Sequence, residues 1–89
     1  MELGRVIGSV VSTIKEPSYK GFKLLLVKLI DENFKDKRET YIAVDTIGVG
    51  RDEIVILVSG SAARKTEMTK DIMIDLTIVA KVDRINLEK

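Results

Sequence analysis

Apolar residues in this chain fall into short blocks with a period near two, broken by glycine-rich or charged turns, the signature of β-strands. The first block, Val6 to Ile14, is rich in β-branched residues, and Gly8 inside it marks a bulge or a close backbone approach. Lys15 to Gly21 reads as a loop, because Pro17 cannot donate to a ladder and Gly21 permits a sharp turn. Phe22 to Ile30 gives a second strand, Asp31 to Arg38 a charged turn, and Glu39 to Asp45 a third strand. A corner containing Gly48 and Gly50 leads into a fourth strand over Glu53 to Val58. Gly60 to Lys65 reads as one helical turn, with Ala62 and Ala63 as helix formers. A last strand is expected from Ile72 to Leu87, with Leu76, Ile78, Ala80 and Val82 facing a core. Asp75, Thr77, Lys81 and Asp83 then form its polar side. Five strands, one short helical turn and no long helix predict an all-β fold: a small, OB-like antiparallel barrel in a single domain spanning 1–89.

Two of these strands are apolar on both faces. In the second, Leu25, Val27 and Leu29 point one way and Phe22, Leu24, Leu26 and Ile30 the other. In the fourth, Ile54, Ile56 and Val58 oppose Val55 and Leu57. An antiparallel barrel ordinarily buries one face of each strand and wets the other. The surplus predicts a cover on the outside: the short helix, a loop or the chain's own ends, or another subunit. Length sharpens the point, since a domain of 89 residues hides only about 60–65% of the surface of its unfolded chain. With no cysteine and no histidine, disulfides and the commonest transition-metal ligands are not available to support it. Oligomerisation is left as the aid.

Composition narrows the chemistry. Net charge is +1, from 15 basic and 14 acidic residues, unlike the strongly basic balance of a phosphate-backbone binder. The N-terminal stretch carries no apolar leader, and the apolar runs Leu24–Val27 and Ile54–Val58 are too short to span a bilayer. A soluble, cytoplasmic protein is expected. The Gly48-Val-Gly50 pair lacks the lysine and serine or threonine of a P-loop and the third glycine of a dinucleotide fingerprint, so a turn is the simpler reading. Ser61 has no histidine to activate it; Lys65 lies near in sequence, but a helix cap suits the pattern better. Arg64 is matched to a carboxylate, Asp45 or Glu53, or to solvent at a helix end. Asp45, Asp52, Glu53, Asp71, Asp75 and Asp83 are spread over turns and strands as turn formers or wet-side residues. No catalytic residue, cofactor or metal ligand is expected. An alternative stays open, an OB-like module binding single-stranded nucleic acid. It rests on Tyr19 and Phe34 beside Lys15, Lys20, Lys35, Lys37 and Arg38, though Glu16, Asp31, Glu32 and Asp36 offset that charge.

The block Ala43-Val-Asp-Thr-Ile-Gly-Val-Gly-Arg-Asp-Glu-Ile-Val-Ile-Leu-Val-Ser-Gly-Ser-Ala-Ala-Arg64 closely resembles the signature of the EutN/CcmL family, the pentameric vertex proteins of bacterial microcompartment shells, carboxysomes among them. Val6 to Thr13 resembles the family's opening strand, and Ile74 to Asp83 its last. Two departures stand out: Val49 where the family usually has alanine, and Met73 where proline is frequent. The resemblance implies a homopentamer in the shell of a bacterial microcompartment, in contact with hexameric shell proteins, and no enzymatic role. On surplus apolar surface and small corner residues together, Phe22, Leu24, Leu26, Gly48, Gly50, Gly60, Ser61, Ala63 and Arg64 are the candidate subunit-interface residues.

Overall fold

The computed structural model describes residues 1–11, 22–59 and 76–88. They form five strands: β1 (Glu2–Val10), β2 (Lys23–Ile30), β3 (Asp36–Asp45), β4 (Ile54–Ser59) and β5 (Leu76–Val82). The strands close into a barrel in the order β1-β2-β3-β5-β4, with β1 and β4 joining the ends. All neighbours are antiparallel except β3 and β5, which run parallel at Val44↔Thr77 and Asp45↔Ile78. The expected small five-stranded barrel is present, antiparallel throughout except at this one seam. Strand order forces this: β5 enters between β3 and β4, and because those two already run in opposite directions it must be parallel to one of them. The expected helical turn at 60–65 lies outside the described residues.

Side-chain alternation sets the inside. Val27, Val55, Leu57 and Ile78 are completely buried, and Val6, Leu25, Leu29 and Ala43 pack around them. Gly4 sits among them because a β-carbon there would lie 2.4 Å from Val27 Cγ1 and 3.3 Å from Leu57 Cδ1. The β1–β2 ladder slips between Val6 and Gly8, so the bulge expected at Gly8 is present. Past the bulge β1 no longer follows β4. Its Val6 instead binds the turn before β4, giving its N–H to the Glu53 carbonyl (3.0 Å) and receiving that of Asp52 (2.8 Å).

Several boundaries and faces differ from expectation. β1 begins at Glu2 rather than Val6, since Glu2 to Arg5 pair with β4 although their sequence is mixed. β5 ends at Val82 rather than Leu87: its last rung pairs Val82 with Ile54, the first residue of β4, and among the described residues no partner strand extends further. Ile30 was expected on the outer face but is 1% exposed, because the β2–β3 register shifts between Lys28 and Ile30. Thr77 was expected on the wet side and is fully buried; Val44 and Val58, its outer-face neighbours in the ladders, are buried as well. At this row both faces of the sheet are covered within a single chain. Surplus apolar surface remains elsewhere on the outside, where Leu24 and Leu26 are half-buried and Ile42 is 54% exposed.

Candidate functional site

The glycine corner after β3 is held by two acidic side chains. Asp45, at the end of β3, is buried, and its carboxylate accepts hydrogen bonds from three successive amides: Ile47 (3.0 Å) and Gly48 (2.8 Å) at Oδ1, Val49 (2.9 Å) at Oδ2. Glu53 continues the series, accepting the Gly50 amide at 2.6 Å. Gly48 has φ +81°, a left-handed conformation that glycine adopts without a side-chain clash. Val49 turns inward and is buried in the core cluster, so the residue that departs from the family pattern plugs the barrel mouth. Thr46 fastens the other side, donating its hydroxyl to the Ile78 carbonyl at 2.8 Å.

This arrangement answers the chemical question raised by the glycine pair. A phosphate cradle needs free backbone N–H groups converging on an anion. Here the amides of residues 47 to 50 already face two of the chain's own carboxylates, which would repel an incoming anion. Asp45 and Glu53 are turn formers, as their positions suggested. Arg64, the expected partner of one of them, lies outside the described residues; Glu53 binds Lys81 of β5 at 2.7 Å.

The Lys81 ammonium is the main cause holding the Glu53 carboxyl below its ordinary value of 4.5, with the Gly50 amide second. In return, Glu53 raises Lys81 above its ordinary 10.5. A carboxyl depressed on folding contributes stability above its unfolded value and loses it as pH falls through the folded value. A raised ammonium contributes below its unfolded value and loses that as pH climbs through the folded one. The fastening at Gly50 is therefore complete between the two ranges and opens in acid. Amide exchange at Gly50 should quicken relative to Ile47–Val49 as pH drops below about 4.5. Glu53→Gln should remove most of that pH dependence.

A similar device shapes the β2–β3 turn. Asp31 accepts the amides of Asn33 (2.8 Å) and Lys35 (3.0 Å), and the Lys35 amide is the first cause of its lowered pKa. Phe34 takes a left-handed φ of +63° at the tip and is 43% exposed. Arg5 on β1 steadies this hairpin through Asp36 at 2.5 Å.

The candidate interface residues fall into two described groups. Phe22, just before β2, is half-buried, as are Leu24 and Leu26 on the outer face of β2. Gly48 and Gly50 are exposed on the corner. The ladder joins the groups, since Lys23↔Asp45 and Leu24↔Val44 place the start of β2 beside the root of the glycine corner. Gly60, Ser61, Ala63 and Arg64 lie outside the described residues. Two clefts among the described residues are open to solvent: one of about 290 Å3 is lined by Met1, Glu2, Ile30, Asp31, Glu32 and Lys37, another of about 300 Å3 by Val6, Ser9, Lys23, Val49 and Arg51. No three acidic side chains converge as a metal site among the described residues.

These features define a class: a small, solidly packed β-barrel with a self-capped corner and apolar surface to spare outside. Comparison with known proteins supplies the family. The family model described as ethanolamine utilisation protein EutN/carboxysome matches residues 1–83, and the chain belongs to that family. It is 44% identical over 85 residues to the bacterial microcompartment shell vertex protein GrpN of Rhodospirillum rubrum, covering 96% of each chain. It is 39% identical over 88 residues to the carboxysome shell vertex protein CcmL of Synechococcus elongatus, covering 99% of this chain and 89% of that protein. The solved structure of the Rhodospirillum rubrum GrpN pentameric microcompartment shell protein superposes with a TM-score of 0.88 at 42% identity, covering 99% of this chain and all of the other.

Proposed function

We propose that this chain is a structural protein that assembles as a homopentamer and closes the vertices of a bacterial microcompartment shell in the cytoplasm. The observation that carries the reading is the likeness, over nearly the full length, to a shell protein described as pentameric. The physical logic is geometric. Hexagonal tiles pave a flat sheet, and pentagonal tiles at the corners let that sheet close, so hexameric shell proteins are the neighbouring partners. Catalysis has no part in this role. The corner that most resembled a ligand cradle uses its amides and its acids on itself.

A closed ring needs heterologous contacts, in which one patch of each chain meets a different patch of the next. The outer face at Phe22, Leu24 and Leu26 belongs to these contacts, together with the corners at Gly48, Gly50, Gly60, Ser61, Ala63 and Arg64. Native mass spectrometry of the purified chain tests the reading, with a species of five copies expected. A stable single copy at working concentration would overturn it. Leu26→Glu should shift the ring toward single copies by roughly 30-fold or more, the effect of a 2 kcal/mol contact at each interface. Circular dichroism should stay that of a folded β protein, because Leu26 points away from the core.

A further inference from the structure

The outside of the barrel carries two apolar patches rather than one. The first lies over β1, β2 and β3, where the ladders align Val10 with Leu24 and Leu26 with Ile42 on the outer face. Gly8, opposite Leu26, leaves a hollow, since nothing lies within 4 Å of where its β-carbon would be. The second lies over β1, β4 and β5. There Leu3 pairs with Ile56, Ile56 with Ala80, and Ile54 with Val82, and all five are half-buried in the single chain. Closure of the barrel sends the patches in different directions. Between them on one side runs the row Val44, Thr77 and Val58, already covered; on the other stands Arg5, tied to Asp36.

Both rims carry charged side chains. Lys28 and Arg38 border the first patch, with Lys28 Nζ donating to the Arg38 carbonyl at 3.2 Å. Asp52, two residues before Ile54, and Asp83, directly after Val82, lie at the ends of the strands that carry the second. None of these four charged groups is in an ion pair among the described residues. Two unlike apolar patches facing apart are what a ring of identical copies requires; a two-fold dimer would need one self-complementary patch.

We propose that the ring forms by seating the β2–β3 patch of one copy, Leu24, Leu26 and Ile42 around the Gly8 hollow, on the β4–β5 patch of the next, Leu3, Ile54, Ile56, Ala80 and Val82. This rests on the pentamer reading above and adds the second face. Its consequence is directional. A copy damaged on the first patch keeps a sound second patch, and the reverse holds for a copy damaged on the second.

The test uses Ile42→Glu for the first patch and Ala80→Arg for the second, both outside the core cluster. Each variant alone should run as a single folded copy by native mass spectrometry and circular dichroism. Mixed one to one, they should form a heterodimer with one copy of each and nothing larger, because only one sound interface exists per pair. If Ala80→Arg still makes a ring of five, or if the folded variants stay single when mixed, the assignment of the two faces is overturned while the vertex reading stands. If the unsubstituted chain is itself a single copy, the pentamer reading falls and this inference with it. Should either variant fail to fold, Leu26→Ser and Ile54→Ser replace them with the same outcomes.

Discussion

Replacing Asp45 by alanine is expected to remove roughly 3 kcal/mol of stability, because it strips the partners from three consecutive amides at once. A single orphaned N–H costs about 1–3 kcal/mol when water cannot reach it. Of the three, the Val49 amide is buried and carries the full penalty, while those of Ile47 and Gly48 lie nearer the surface and are partly rescued by solvent. The loss spreads inward, since Val49 is held in the barrel mouth by the same carboxylate. Urea unfolding of the Asp45→Ala chain should show a midpoint lowered well beyond that of Glu53→Gln, whose bond to Gly50 is exposed. Asp45→Asn, which keeps one acceptor oxygen, should fall between. If Asp45→Ala melted with the parent, the carboxylate would be ornamental and the corner would hold itself.

The second large effect is expected at Gly4. Even alanine there would place its β-carbon 2.4 Å from Val27 Cγ1, with the Lys28 carbonyl at 3.3 Å. Val27 is fully buried and β-branched, so it has little rotameric freedom to move aside. The backbone must give way, and overpacking of this sort costs about 1–3 kcal/mol or more. Gly4→Val should exceed that range. For a domain of 89 residues, whose whole stability is on the order of 4–13 kcal/mol, the valine variant should be largely unfolded at 37 °C. Thermal melting followed by circular dichroism checks it. A Gly4→Ala variant as stable as the parent would mean that β1 and β2 sit further apart than the geometry places them.

Gly4 also shows where sequence reading runs short. A glycine near an N-terminus looks like an ordinary flexible residue, and only the packing of β1 against β2 reveals that it is the single residue small enough. Strand existence was legible because alternation is local: Leu25, Val27 and Leu29, or Val55 and Leu57, announce an inner face by spacing alone. The bulge at Gly8 and the turn role of Asp45 were also legible, each following from one residue's conformational or hydrogen-bonding habit. The parallel seam between β3 and β5 was not, because it depends on strand order, a property of the whole chain. Nor was the burial of Thr77 and Ile30, since a register slip or a second cover reverses the face that alternation assigns. For the outer surface, the surplus on β2 could be read directly, whereas the second apolar patch on Leu3, Ile56 and Ala80 required knowing that β4 lies between β1 and β5.

The filled interior of the barrel has a bearing on traffic. Val27, Val55, Leu57 and Ile78 leave no lumen, and Val49 stoppers one mouth. Each copy is a brick, not a tube. In any wall laid from such bricks, no passage runs through a barrel, and any opening lies at the joints between copies.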